Sequence, residues 1–124
     1  MGPSAEKLRS EKMEPKAKLW VEQDGAIVLS GYRVRLLQHI AESGSLAEAA
    51  RRMGLSYRRA WGKIREIETN LGVRLVESEV GGAGGGGTRL TPVGERILAL
   101  YPQFEAAAQA DIRRLFVELF SEEV

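Results

Sequence analysis

Apolar residues recur along residues 45–71 with one change of phase, and the punctuation between the two runs predicts two short helices. Leu46, Ala49, Ala50 and Met53 stand at i, i+3, i+4 and i+7, the spacing of one helix face. Ser45 is placed to cap that helix, and Glu48 completes a capping box in which each residue satisfies an amide of the other. Gly54 supplies the left-handed residue that ends it, Leu55 can pack back across the turn, and Ser56 caps the next helix at once. The second helix buries Ala60, Trp61, Ile64, Ile67 and Leu71 and stops at Gly72. Its other side presents Tyr57, Arg58, Arg59, Gly62, Lys63 and Arg65. A tight helix pair whose second member has a cationic outer face matches the helix-turn-helix, in which the N-terminal end of the second helix enters the major groove. The alternative for these residues alone is a helical hairpin with a solvated basic face.

The same patterning extends in both directions. Residues 1–17 are polar, mixed in charge and hold two prolines, which predicts a disordered or loosely attached arm. Two apolar runs then flank Asp24-Gly25, so residues 19–22 and 26–29 are expected to form a hairpin around a type I′ turn, with Trp20, Ile27 and Leu29 packed on the helices. Ser30 caps a support helix to about Ser43, with Leu36, Leu37, Ile40 and Ala41 inward and Arg33 and Arg35 outside. After Gly72 a strand over 73–79, a Gly-rich loop over 81–87 and a short strand over 88–90 have the layout of a wing. A flexible linker that never touches a ligand is the alternative for those glycines.

Thr91 caps the last helix, with Pro92 at its favoured first position. Val93, Ile97, Leu100, Tyr101, Phe104, Ala108, Ile112, Leu115, Phe116 and Leu119 make an apolar stripe too long for a small domain to bury alone. The residues from Ile97 onwards are therefore expected to pair with a second copy through a coiled-coil-like seam, with a kink at Pro102. The expected fold is mainly α: a winged helix-turn-helix over 18–91 with an N-terminal β-hairpin and a β wing, followed by a long C-terminal dimerisation helix over 92–124.

Composition changes this picture at one point. The formal net charge of the 124 residues is only +1, yet residues 33–65 hold eight Lys/Arg against Glu42 and Glu48. Segregated positive charge on a nearly neutral chain is the electrostatic footprint of a specific nucleic-acid binder. No apolar run approaches the roughly 18–20 residues of a membrane span, and cysteine is absent, which fits the cytoplasm. His39, the only histidine, has no second ligand for a metal, so no metal or cofactor is expected. The glycines at 81–87 are followed by Thr88 and Arg89 rather than the Lys and Ser/Thr of a phosphate-binding P-loop. With no paired carboxylates, cysteine nucleophile or histidine base in a workable constellation, an enzyme is not expected.

The candidates for base contact are Tyr57, Arg58, Arg59 and Lys63, on the exposed N-terminal half of the second helix. Those for phosphate contact are Ser45, Arg51, Arg52, Arg65, the backbone of Gly84, Gly85 and Gly86, where no Cβ obstructs approach, and Arg89.

Taken together, Gly44-Ser45, Ala50, Gly54, Ser56-Tyr57, Ala60-Trp61, Val76-Glu77, Gly81-Gly82 with residues 84–87, Leu90-Thr91 and Gly94 resemble the N-terminal domain of the molybdate-responsive ModE family, whose winged helix-turn-helix is similar to that of LysR-type regulators. The similarity covers roughly residues 19–120, and SYxxAW followed by GGxGGGG is its most specific part. The resemblance implies a homodimeric transcription regulator on a palindromic DNA site. In that family molybdate is held by a separate C-terminal module of small β-barrels. The residues up to Val124 hold no such segment, so the resemblance does not extend to molybdate sensing by this chain. A winged helix that binds a protein partner instead of DNA is the second reading.

Overall fold

Asp24 and Gly25 adopt φ of 52° and 82°, the two positive values that a type I′ turn requires. The turn joins β1 (Trp20–Gln23) to β2 (Ala26–Ser30) in a computed structural model that describes residues 9–82 and 85–121. Register is not regular: Val21 faces Leu29 but Glu22 faces Ile27, which leaves Val28 as an extra residue on β2. Such a bulge re-aims side chains. Val28 is 2% exposed, whereas Ile27 is 38% and Trp20 50% exposed. The expected packing of Trp20 and Ile27 on the helices is therefore corrected. Trp20 lies outside, its indole Nε1 donating to Glu22 Oε2 at 2.7 Å.

Ser30 closes β2 and opens α1 (Gly31–Ser43) by accepting from Arg33 N at 3.1 Å, and Gly44 ends the helix in the left-handed conformation. The buried arc of α1 runs from Val34 through Leu36 and Leu37 to Ile40; Ala41 is exposed. Next come α2 (Leu46–Arg52) and α3 (Tyr57–Leu71). Leu36, Leu37 and Ile40 of α1, Leu46, Ala49 and Ala50 of α2, and Ala60, Ile64 and Ile67 of α3 form one core, joined by Leu75, Val76 and Leu90. Trp61 and Leu71 pack at its edge.

The wing is longer in strand than expected. β3 (Val76–Gly82) and β4 (Gly85–Leu90) pair antiparallel from Val76↔Leu90 out to Gly82↔Gly85, so most of the glycine run is strand rather than loop. Glycine supplies the same ladder donors and acceptors as any residue, and it follows the pairing that Val76 to Glu79 begin. Residues 73–75 are instead the connection from α3, and Leu75 in it is fully buried.

Thr91 accepts from Gly94 N at 3.1 Å and so caps α4 (Pro92–Phe120), which continues through Pro102. The described residues fall into two compact units, one spanning Leu19–Tyr101 and the other made of residues 9–18 with residues 102–121. Within the second unit, a single 3-10 turn (Ser10–Lys12) leads to a segment held on the helix. Gln109 Nε2 donates to Pro15 O at 2.7 Å, and Arg113 pairs with Glu14 at 2.9 Å. Gln109 and Arg113 stand one turn apart on α4, a spacing that presents a donor and a cation to successive groups of an extended chain. From residue 9 the expected loose arm is therefore corrected to a docked one; residues 1–8 lie outside the described residues. Among the described residues no helix is long and apolar enough to cross a membrane.

Candidate nucleic-acid interface

Local hydrogen bonding fixes the geometry of α2, the turn and α3. Ser45 Oγ accepts from Glu48 N at 3.0 Å, as a cap should. The reciprocal half of the expected box is missing: Ser45 N donates to Ser43 Oγ at 3.2 Å, and the Glu48 carboxylate turns to arginines instead. At the other end of α2, Leu55 N donates to Ala50 O at 2.9 Å and Gly54 N to Arg51 O at 3.1 Å, with Gly54 at φ 68°. This is the Schellman arrangement, and it reverses the chain in so few residues that Ser56 can cap α3, accepting from Arg59 N at 3.1 Å.

Charge on this surface is of two kinds. Arg51 and Arg52 both bind Glu48, and Arg52 also reaches Glu42 at 3.3 Å. Hydrogen bonds from Arg51 and then Arg52 lower the Glu48 carboxyl from 4.5 to about 2. Two of the expected phosphate contacts are thus partly neutralised within the chain. Arg58, Arg59, Lys63 and Arg65, by contrast, have no carboxylate partner among the described residues. Tyr57 is exposed at the start of α3. Lys63 Nζ lies 5.3 Å from the centre of the Tyr32 ring and the Arg65 guanidinium 5.6 Å from that of Trp61. Cation–π contacts of this kind orient the cations without cancelling their charge.

The wing contributes less free charge than expected, because Arg89 is paired with Glu77 at 3.0 Å and Glu79 at 3.7 Å. Cross-strand neighbours on one face of a hairpin make that pairing a local affair. Gly85 and Gly86 lie in β4, and Gly84 lies outside the described residues. The wing is fastened to the helices on both sides. Thr88 N donates to Gly44 O at 2.9 Å, and a Cβ at Gly87 would stand 2.8 Å from that same oxygen, so glycine is required there for close approach. On the other strand, Glu68 Oε2 accepts from Leu75 N at 2.7 Å and Val76 N at 3.3 Å. Glu68 was not among the expected site residues. Its signal was present: a carboxylate beside Ile67 and four residues after Ile64, inside the arc that α3 buries.

The stripe on α4 divides. Val93 and Leu100 are exposed in the first unit and Phe104, Leu115 and Leu119 in the second; at 3.6 residues per turn the last three fall within about 60° of arc. Ala108, Ile112 and Phe116 are half-buried, and Ile97 packs on the edge of the core. Tyr101, expected in the seam between copies, is corrected: it is 3% exposed, and its hydroxyl donates to Leu19 O at 3.1 Å in the same chain. A phenol on an otherwise apolar stripe is drawn to the nearest unpaired carbonyl.

Comparison with known proteins decides the family. The pattern of the bacterial regulatory helix-turn-helix protein, lysR family, matches residues 32–95, from α1 to the start of α4. The chain belongs to that family. This lysR-family chain is 46% identical over 69 residues to the DNA-binding transcriptional dual regulator ModE of Escherichia coli (strain K12), covering 56% of the chain and 26% of that protein. It is 38% identical over 99 residues to the molybdenum transport protein ModE of Azotobacter vinelandii, covering 80% and 37%. It is 41% identical over 86 residues to the molybdenum-pterin-binding protein MopB of Rhodobacter capsulatus, covering 69% and 32%. The chain thus spans about a third of the length of these relatives. Among solved structures, ArgP from Mycobacterium tuberculosis matches with a TM-score of 0.50 at 26% identity, over 68% of this chain and 31% of that one. The CbnR_DBD–DNA complex matches with a TM-score of 0.51 at 24% identity, over 70% and 94%, a likeness of fold. The expected winged helix-turn-helix of ModE and LysR type is borne out.

Proposed function

We propose that this lysR-family chain is the sequence-specific DNA-binding part of a transcription regulator and works as a homodimer on a palindromic site. The observation that carries this reading is the charge state of α3. Arg58, Arg59 and Lys63 project from the exposed half of the helix that follows the turn and have no carboxylate partner among the described residues, while Arg51 and Arg52 on α2 are paired. An arginine there can give a guanine a bidentate contact worth about 1–3 kcal/mol in discrimination. Arg51, Arg52, Arg65, Ser45 and the wing backbone are the positioning contacts to phosphate in this reading. The exposed face of α4 is the surface for a second copy, and two-fold symmetry then sets the two α3 helices about 34–36 Å apart, one turn of DNA.

The test is a salt titration of binding to duplex DNA with two variants. Arg59→Ala should relax base preference. Arg52→Ala should weaken all sequences alike and lower the log–log salt slope by about one unit. No salt dependence in the wild-type chain would favour a protein-interaction module. A link to molybdenum is proposed from the names of the ModE and MopB relatives. It is checked by selecting bound sequences from random duplexes with and without molybdate.

A further inference from the structure

Glu68 is the most deeply buried carboxylate described in the chain, 7% exposed in the last turns of α3. Burying an ionised side chain is unfavourable unless its lone pairs are occupied. Here they are occupied by the chain that leaves the helix: the amides of Leu75 and Val76 both point at Oε2, and Arg74 Nε stands 3.5 Å from the same oxygen. Val76 is the first residue of β3, so the carboxylate grips the root of the wing.

The root is held from its other side by the start of α4. Leu75 O accepts from Thr91 N at 2.9 Å, and the Thr91 hydroxyl donates to Arg74 O at 2.7 Å. A Cβ at Gly94 would collide with Leu75 O. Residues 74–76 are thus clamped between α3 and α4, and all of these residues belong to the Leu19–Tyr101 unit. Helix packing by itself does not require a carboxylate at this place, since an apolar residue could fill the arc of Ile64 and Ile67.

We propose that Glu68 is the positioning residue of the wing: it fixes the root of β3 against α3, so that wing and recognition helix meet DNA in a single register. This rests on the DNA-binding reading above. The chain has no cysteine, so a cleavage reagent can be placed at will. An iron chelate attached through Ser78→Cys, at an exposed position of β3, reports where the wing lies on a selected duplex. One attached through Ala47→Cys, at an exposed position of α2, reports the helix-turn-helix.

In the Glu68→Ala variant, cuts from the β3 chelate should spread over neighbouring nucleotides while cuts from the α2 chelate stay in place. Glu68→Gln, whose carbonyl can still accept both amides, should restore the narrow pattern. If Glu68→Ala does not fold, Arg74→Ala removes the outer part of the same clamp from an exposed position and should give a smaller spread. Narrow β3 cuts in every folded variant would overturn the proposal. Absence of cuts from both chelates on the otherwise unaltered chain would instead overturn the DNA-binding reading, and this inference with it.

Discussion

Arg51 and Glu48 share two hydrogen bonds, from Nε at 2.8 Å and Nη2 at 2.6 Å, and Arg52 Nε joins the same carboxylate at 3.1 Å. One carboxylate thereby restrains two cations at the end of α2. Glu48→Gln should release Arg51 and leave Arg52 only its pairing with Glu42, raising affinity for any duplex and steepening its salt dependence, measured by titration at several ionic strengths. If affinity is unchanged, Arg51 does not face phosphate.

The same pairing has a pH signature. Its arginine partners hold the Glu48 carboxyl at about 2 rather than 4.5. A depressed folded-state value means that the pairing contributes fully above about 4.5 and is lost as the pH falls through about 2. A carboxyl-carbon NMR titration should therefore find Glu48 still ionised at a pH where ordinary glutamates are protonated.

Gly62 sits on the exposed side of α3, and a Cβ there would meet nothing within 4 Å. Glycine in a helix interior is about 1 kcal/mol less favourable than alanine. Gly62→Ala should accordingly stabilise the fold by about 0.5–1 kcal/mol in urea denaturation. Specific DNA binding should weaken if, as proposed, Arg58, Arg59 and Lys63 face the duplex, because the added methyl fills the open space beside them. A stabler variant with unchanged binding would place Gly62 away from the duplex.

If copies of the chain pair through α4 as proposed, a charge in the exposed row should abolish that association without unfolding the chain. Leu115→Glu is expected to sediment as a monomer with the melting temperature of the parent. Tyr101→Phe should do the reverse, losing about 0.5–1.5 kcal/mol of stability with the bond to Leu19 while association is kept.

Most of the helix-turn-helix was legible because its punctuation is local. Ser30, Ser45 and Ser56 cap, and Gly44, Gly54 and Gly72 terminate, through bonds spanning no more than five residues. The type I′ turn at Asp24-Gly25 was legible for the same reason. What escaped depends on partners distant in sequence. The bulge that turns Val28 inward is set by what β2 packs on, and alternation alone assigns Ile27 to the core. Glu68 and Tyr101 belong by composition to the surface and to the seam. Only the fold brings the amides of Leu75 and Val76, or the carbonyl of Leu19, within reach. The docking of Glu14 and Pro15 on Gln109 and Arg113 joins residues more than ninety positions apart, beyond any periodic signal.

Thr88 stands opposite Ser78 in the wing, yet it donates its amide to Gly44, the residue that ends α1. That single proton is a gauge of wing opening. Its exchange with deuterated solvent requires β4 to leave the helices, so its rate converts directly into the free energy of that opening. A rate equal to that of the core amides would mean that wing and helices open only by global unfolding. A faster rate would make the wing a separately opening part, whose mobility DNA has to suppress on binding.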